Sequence, residues 1–132
     1  AVTTVLDAIR PHTKARVHIV IGAGGDRDKE KRAQMGAAAH KGADVVIVTD
    51  DNPRTEDPAS IREQVASGAP DATVIGDRRE AIVAAVKGLK AGDTLVIAGK
   101  GHERGQTIGD VTYPFSDLDV ARAAVQEQGV AA

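Results

Sequence analysis

The fold is decided by the stretch VVIVTDDNPRTEDP, residues 45–58. Its first four residues are β-branched and apolar, which predicts a short, fully buried strand. Pro53 removes a backbone donor and disfavours helical backbone at Asn52, so the chain should leave the strand in a stiff, extended turn. Asp57 and Pro58 then predict the start of a helix, with aspartate as N-cap and proline in the first helical position. The stretch therefore indicates a strand, a polar turn and a helix.

The rest of the chain repeats this alternation of apolar strands and amphipathic helices. Strands are predicted at 17–21, 73–75 and 94–98, helices at 2–10, 30–41, 58–67 and from 78 onwards, a hairpin-like stretch at 106–113, and a last helix after Ser116. Helical segments of about 10 to 15 residues between strands predict a mostly parallel sheet. We therefore expect one Rossmann-like, doubly wound α/β domain over residues 1–132, with helices on both faces of the sheet.

Several residues mark where these helices begin and end. Asp77 and Ser116 are predicted N-caps, each followed three residues later by an acidic residue, in the manner of a capping box. Gly42 is a natural C-terminal cap for the helix before it. The first helix should stop at Pro11, because proline cannot continue a helix.

Composition narrows the class of protein. The chain has 132 residues, 42% apolar and 2% aromatic, with a net charge of -2. The core must therefore be aliphatic, and the scarcity of aromatic residues argues against binding of single-stranded nucleic acid by base stacking. The charge gives no reason to expect nucleic acid or an anionic membrane as a partner. The absence of cysteine excludes disulfides and thiolate metal sites.

Apolar runs and the first residue of the chain suggest where the protein works and whether the chain is part of a larger protein. There is no apolar run near ~20 residues and no signal-peptide pattern, so we expect a cytoplasmic protein that does not enter a membrane. The chain begins at Ala1, without methionine, inside a helix-like pattern. We therefore expect a fragment of a larger protein.

A glycine-rich turn, residues 22–25, follows the first predicted strand and leads to Arg27. A dinucleotide-binding fingerprint would need its third glycine at position 27, where arginine stands. Glycines allow the backbone to approach a ligand closely, and Arg27 can hold a carboxylate or phosphate in a bidentate fork. The alternative is a tight strand-to-helix turn whose charges solvate the start of the helix.

A second glycine turn, residues 99–103, follows the strand at 94–98. It is not a nucleotide phosphate loop, because Lys100 is followed by glycine rather than serine or threonine. His102 and Glu103 alone are too few to define a metal site, and none is predicted. Glu103 offers a carboxylate to an ammonium group, and Gly99 offers a carbonyl nearby.

Three strand-ending turns thus offer two cationic forks, an amide and a carboxylate: Arg27, Arg54, Asn52 and Glu103. In open α/β sheets, ligands bind at the carboxyl ends of the strands. This set of groups suits a zwitterion with more than one carboxylate, such as an amino acid with a second acidic end. A set of solvated polar connections remains the alternative at this point.

The motifs GGDRDK (24–29), DNPRTEDP (51–58) and GKGHE (99–103) also carry a resemblance. The chain resembles, from about residue 2 to 125, the C-terminal domain of the Mur ligase family, and its Asp-Asn-Pro-Arg motif is that of the diaminopimelate-adding branch. The resemblance implies a three-domain enzyme. The first domain holds the UDP-sugar, the central domain carries the ATP phosphate loop and a carbamylated lysine with Mg²⁺, and the C-terminal domain presents the incoming amino acid.

The resemblance also implies roles for single residues, although no catalytic residue and no metal ligand are expected in this chain. Asp26 and Lys29 would face ATP across the domain cleft. UDP-N-acetylmuramoyl-dipeptide and most contacts to ATP and Mg²⁺ would belong to the missing domains. The residues implied to bind meso-diaminopimelate are Arg27, Asp51, Asn52, Pro53, Arg54, Gly99 and Glu103.

Two other classes of protein stay open. One is a stand-alone amino-acid-binding or regulatory module without catalysis, which would lack a Gly-Lys-Thr/Ser loop upstream in the native reading frame. The other is a nucleotide-binding subunit that uses the turn at residues 22–25, which titration with ATP and with NAD would reveal.

Overall fold

The computed structural model describes residues 2–25, 29–98, 105–108, 111–114 and 116–127. A single turn of 3₁₀-helix at Arg10–His12 contains Pro11 and ends the first helix as expected. The elements, in chain order, are α1 Val2–Ile9, β1 Val17–Ile21, α2 Glu30–Gly42, β2 Val45–Val48, α3 Pro58–Ala66, β3 Thr73–Val74, α4 Arg78–Lys87, β4 Thr94–Ile97, β5 Gly105–Ile108, β6 Val111–Pro114 and α5 Asp117–Glu127.

The main sheet has four parallel strands in the order β3-β2-β1-β4. Strands β5 and β6 pair antiparallel in a separate two-stranded sheet, as the hairpin-like pattern predicts. In the main sheet β2 and β3 follow β1 on one side, and β4 then lies on the other side of β1. The direction of winding therefore switches at β1. Ligands of doubly wound folds bind in the crevice at such a switch point, outside the carboxyl ends of the strands.

Alternating side chains of the sheet build a core on each of its faces. On one face, Ile19 and Ile21 of β1 pack into a cluster with residues of α1, α2 and α3. On the other face, Val20 of β1 and Ile47 of β2 pack with residues of α4. Helix α5 contacts α4 on that second side. The expectation of a doubly wound, Rossmann-like α/β fold is therefore confirmed.

The predicted N-caps are found in the structure. Asp57 Oδ1 accepts a hydrogen bond from the Ala59 amide, and Asp77 Oδ1 accepts one from the Glu80 amide. These side-chain oxygens satisfy amides that the first turn of a helix cannot pair internally. Ser116 likewise accepts from the Asp119 amide at the start of α5.

The prediction for Gly42 is wrong. Gly42 is the last residue of α2, and Ala43 caps the helix in an extended conformation. A Cβ at position 42 would lie 2.9 Å from Leu6 Cδ1. This glycine therefore allows α1 to pack closely against the end of α2, and it supplies no left-handed turn.

Within the described residues, no helix is both long and apolar enough to cross a bilayer.

Candidate functional site

The turns that follow β1 and β2 lie against each other at the carboxyl edge of the sheet. A Cβ on Gly22 would lie 2.8 Å from the carbonyl oxygen of Thr49, and one on Gly25 would overlap with the carbonyl group of Pro53. The Gly25 amide donates to the Asn52 carbonyl over 2.6 Å. These two glycines therefore admit a neighbouring backbone, where the sequence suggested close approach of a ligand. The close approach at these two glycines gives no support to a dinucleotide-like role for this turn.

Arg54 has an unusual backbone conformation. Its φ is 52°, in the left-handed region that non-glycine residues seldom adopt. A hydrogen bond from the Glu56 amide to the Pro53 carbonyl, 3.0 Å long, closes the turn around it. Pro53 in the sequence predicts an extended turn here, and the reversal at Arg54 has no counterpart in that prediction. Backbone strain of this kind clusters at functional sites, so the observation supports a functional interpretation of the turn.

The guanidinium of Arg54 is oriented by main-chain carbonyls. Its Nη1 donates to the carbonyl oxygen of Gly25 over 3.1 Å and makes a longer contact of 3.4 Å with that of Asn52. Among the residues that the structure describes, none accepts a hydrogen bond from Nε or Nη2. The edge of the fork formed by Nε and Nη2 is the edge that can receive a carboxylate in two parallel hydrogen bonds.

The remaining residues of the Asp-Asn-Pro-Arg motif differ in exposure. Asn52 and Pro53 are buried, whereas Asp51 and Arg54 are half-buried. The Asp51 carbonyl accepts a hydrogen bond of 2.7 Å from Gln106 Nε2 of β5. Sequence analysis gave Gln106 no role, and this contact joins the β5–β6 sheet to the motif.

The other acidic side chains of the turn have structural partners. Arg62 of α3 donates to Asp50 over 2.6 Å, and Arg32 of α2 pairs with Glu56. Burial raises the pKa of Asp50, and the hydrogen bond from Arg62 opposes that rise. With Asp57 occupied as an N-cap, these three carboxylates stabilise the turn itself.

A buried arginine, Arg32, connects the first two turns. It is 2% exposed. Its Nη2 donates to the Gly24 carbonyl over 3.0 Å, and its two Nη atoms donate to both carboxylate oxygens of Glu56. Nη1 also donates to Gln64 Oε1 of α3 over 2.9 Å. One guanidinium therefore links the turn after β1, the turn after β2 and the next helix.

A second buried arginine, Arg78, connects the ends of β2 and β4. It is 1% exposed. Its Nη1 donates to the Asp50 carbonyl over 3.0 Å, and its Nη2 donates to the Ala98 carbonyl over 3.1 Å. The same side chain makes a two-pronged pair with Asp117 of α5. Arg78 thus fixes the chain where the second glycine turn begins.

Neither arginine stands out in the sequence as a site residue, although helical spacing contains the signal. The buried residues of α2 lie three or four positions apart: Arg32, Gly36 and Ala39. Those of α4 follow the same helical spacing: Arg78, Ala81, Ile82, Ala85 and Val86. Each arginine therefore occupies the buried stripe of its helix. An arginine on such a stripe must find carboxylate and carbonyl partners inside the protein.

Lys29 is the remaining predicted site residue within the described part of the chain. Lys29 is exposed at the start of α2. The described part of the chain contains no group of three or more acidic or histidine side chains that could hold a metal ion. The predicted site residues that lie outside the described residues are Asp26, Arg27, Gly99 and Glu103.

The histidines within the described residues lie away from this edge of the sheet. His12 and His40 are exposed. His18 is buried, and its Nε2 lies 2.7 Å from Asp93 Oδ2 at the opposite, amino-terminal edge. These positions fit a structural role for His18 and solvated roles for the other two.

Fold and site together define a Rossmann-like α/β domain with a polar, arginine-bearing turn at the carboxyl edge of its parallel sheet. The chain matches the family model of the Mur ligase, glutamate ligase domain, over residues 1–101. Because this match covers more than half of the chain, the chain belongs to the Mur ligase family.

Relatives at 51–59% identity carry the name UDP-N-acetylmuramoyl-L-alanyl-D-glutamate--2,6-diaminopimelate ligase. The protein of Rhizobium meliloti (strain 1021) is 59% identical over 125 residues, which cover 95% of this chain and 26% of that protein. The protein of Caulobacter vibrioides is 59% identical over 115 residues, 87% of this chain and 24% of that protein. A solved structure of a ligase of this name shares 42% identity and a TM-score of 0.92, over 98% of this chain and 28% of that one. The chain therefore spans about a quarter of the length of these relatives.

Proposed function

We propose that the chain is the amino-acid-binding domain of a diaminopimelate-adding Mur ligase. The whole protein would join meso-diaminopimelate to UDP-N-acetylmuramoyl-L-alanyl-D-glutamate through an amide bond, in the synthesis of the peptidoglycan precursor. The names and the 51–59% identity of the relatives support this proposal. So does the Asp-Asn-Pro-Arg turn, which lies at the edge of the sheet where doubly wound domains bind their ligands.

The observation that carries the proposal is the orientation of Arg54. Its backbone is held in a left-handed conformation, and its Nη1 is anchored on the Gly25 carbonyl. The side chain therefore presents a fixed planar fork, which suits a carboxylate better than a mobile ammonium would. Diaminopimelate has a second carboxylate far from the reacting amine, and lysine lacks it. We assign Arg54 to that second carboxylate, with Arg27, Asp51, Asn52, Pro53, Gly99 and Glu103 completing the site.

The rest of the ligase would supply most of the chemistry. ATP provides the phosphoryl group that activates the substrate carboxylate, and the amine of the amino acid then displaces phosphate to form the amide. In our proposal ATP and Mg²⁺ are held mainly by the parts of the protein beyond this chain. Lys29, exposed at the start of α2, and Asp26 would contribute charge on the nucleotide side of the cleft. We also propose that the protein works in the cytoplasm, where ATP and UDP-linked precursors are available.

The test is a ligation assay with the full-length protein. ATP, Mg²⁺ and UDP-N-acetylmuramoyl-L-alanyl-D-glutamate are supplied with either meso-diaminopimelate or lysine, and ADP release and product mass are followed. We expect a tripeptide product and ADP with diaminopimelate, and little of either with lysine. A full-length protein that releases no ADP with diaminopimelate, or that has no nucleotide phosphate loop in its reading frame, would favour a binding module without catalysis.

A further inference from the structure

We infer that Arg32 is a positioning residue for amino-acid binding. Arg32 and its ion-pair partner Glu56 act together by orienting Arg54. The inference rests on the proposed function, since it concerns the same site. The inference adds Arg32 and Glu56, which do not contact the ligand in the proposed function. For brevity we refer to the pair of Arg32 and Glu56 as the clasp.

The clasp holds the two segments that orient Arg54. One Nη atom of Arg32 donates to the Gly24 carbonyl, and the next residue along, Gly25, supplies the carbonyl that accepts from Arg54. The carboxylate of the clasp belongs to Glu56, two residues after Arg54 in the same turn. The acceptor of the Arg54 side chain and the turn that carries its backbone are therefore tied to one buried guanidinium.

Backbone hydrogen bonds make this arrangement stiff. The Gly25 amide donates to the Asn52 carbonyl over 2.6 Å, and the Glu56 amide donates to the Pro53 carbonyl over 3.0 Å. Together with the clasp, these bonds fix the residues on both sides of Arg54 relative to the turn after β1. Such a frame can hold a left-handed arginine that would otherwise relax toward commoner backbone conformations.

A buried ion pair is weak evidence for stability, so we assign the clasp to orientation. Arg32 is 2% exposed on the inward stripe of α2, and the Glu56 side chain is 17% exposed. Removing a guanidinium from water is costly, and well-packed apolar side chains often replace a buried ion pair without loss of stability. An aliphatic residue at position 32 could fill the stripe, but it could not bond the Gly24 carbonyl and the Glu56 carboxylate at once. The geometry needs the planar fork of arginine.

Loss of the clasp should therefore weaken binding of the amino acid and leave the use of ATP unchanged. In Arg32→Lys the positive charge stays, but a single ammonium cannot reproduce the fork that spans Gly24 and Glu56. Arg54 would then keep its charge and lose its fixed direction. In Glu56→Gln the acceptor oxygen stays and the charge is lost, so the effect should be smaller and in the same direction.

The experiment is a double-mutant cycle in the full-length ligase with Arg32→Lys, Arg54→Ala and the double variant. Steady-state kinetics give the KM for diaminopimelate and the KM for ATP in each. We expect Arg32→Lys to raise the KM for diaminopimelate roughly tenfold or more and to change the KM for ATP less than about twofold. In the Arg54→Ala background, Arg32→Lys should add less than about twofold, because the residue it positions is gone.

A matched control separates positioning from a general loss of stability. Val65→Ala removes methyl groups from α3 at a fully buried core site whose apolar side chain can make no hydrogen bond to the turns, and the KM for diaminopimelate should stay near wild type. If Arg32→Lys fails to fold, the cycle is run with Glu56→Gln. Additive effects of Arg32→Lys and Arg54→Ala, or an equal rise in KM in Val65→Ala, would overturn the inference.

Failure of the proposed function gives a different result. It appears in the wild-type arm as an absence of turnover with diaminopimelate, before any variant is measured. If wild type turns over diaminopimelate and Arg54→Ala impairs it, but Arg32→Lys and Glu56→Gln leave the KM unchanged, the clasp inference fails and the proposed function stands.

Discussion

Arg78 and Asp117 form a buried ion pair in which Nε donates to Oδ1 over 2.7 Å and Nη2 donates to Oδ2 over 2.6 Å. The two side chains are 0% and 8% exposed. Arg78 also bonds the carbonyls of Asp50 and Ala98, so α5 is joined through one guanidinium to the ends of β2 and β4.

Removing one partner of this pair should destabilise the fold strongly. Arg78→Met would leave the Asp117 carboxylate without its cation and two carbonyls without their donor, which costs about 3–5 kcal/mol in comparable buried pairs. Arg10→Met is the control, because the Arg10–Asp44 pair is 43% and 42% exposed and should contribute no more than about 1 kcal/mol. The measurement is urea unfolding of each variant. A loss in Arg78→Met no larger than that in Arg10→Met would contradict this assignment.

The close approach of the first two turns gives a second prediction. Gly25→Ala would place a methyl group into the Pro53 carbonyl, and the backbone would have to move at a cost of about 1–3 kcal/mol. Gly88→Ala is the matched control, since its Cβ would meet nothing closer than 3.6 Å at a helix end. We expect Gly88→Ala to be neutral or to stabilise by up to about 1 kcal/mol. Equal unfolding midpoints for the two variants would refute the tight contact.

Acid stability should depend on Asp93. Its carboxylate accepts hydrogen bonds from the amides of Arg16 and Lys90 and from His18, and these lower its pKa from 3.8 to about 2. Because the folded-state pKa lies below the unfolded value, the contribution is complete above pH 3.8. It is lost as the pH falls from 3.8 through about 2.

The measurement for Asp93 is the urea midpoint between about pH 6 and about pH 2. Asp93→Asn cannot titrate, so its midpoint should fall less steeply than that of wild type over this window. Asp71→Asn, in an exposed turn, should keep the wild-type slope. An Asp93→Asn variant that shows the wild-type slope would mean that another group is responsible.

The 132-residue chain should fold alone and fail to ligate. Its sheet is covered on both faces by its own helices, while the phosphate-binding groups that phosphoryl transfer needs are assigned to other parts of the protein. We expect a cooperative thermal transition and no ADP release with the full set of substrates. The Kd for diaminopimelate should be no tighter than about millimolar, because exposed ion pairs contribute only ~0.2–1 kcal/mol each. Ligation by the purified chain, or micromolar binding in calorimetry, would be the contrary result.

Most of the fold could be predicted from the sequence because its signals are local. Short β-branched runs, helical spacing and capping residues such as Asp57 and Asp77 each act within a few positions. Gly42 was misassigned because its neighbour Leu6 lies far away in the sequence, and only the packed structure brings the two together. Glycine caps a helix and permits close packing equally well, so the sequence alone does not distinguish these uses.

The polar motif that we propose binds the amino acid stands out in the sequence, and the residues that support it do not. The motif is contiguous, so Asn52 and Arg54 could be singled out from the local sequence alone. Arg32 and Arg78 bond carboxylates 24 and 39 residues away, and no local pattern specifies such partners. The left-handed backbone of Arg54 also escaped prediction, because some of the contacts that hold it come from the neighbouring turn, which is distant in the sequence.

We propose that Arg54 selects an amino acid with a second carboxylate. With lysine in the site, the fork of Arg54 would be desolvated without a partner, and sites of this kind reject the analogue that lacks the polar group by about 10⁴-fold or more. Arg54→Lys should restore selection only in part, because a point charge does not reproduce the planar fork.

The most direct measurement is the ratio of kcat/KM for diaminopimelate to that for lysine in the full-length ligase, in wild type, Arg54→Ala and Arg54→Lys. We predict that Arg54→Ala lowers this ratio by roughly 100-fold or more, since a charge-assisted pair of hydrogen bonds is lost, and that the KM for ATP changes little. Arg54→Lys should fall between the two. If Arg54→Ala keeps the wild-type ratio, Arg54 does not select the substrate.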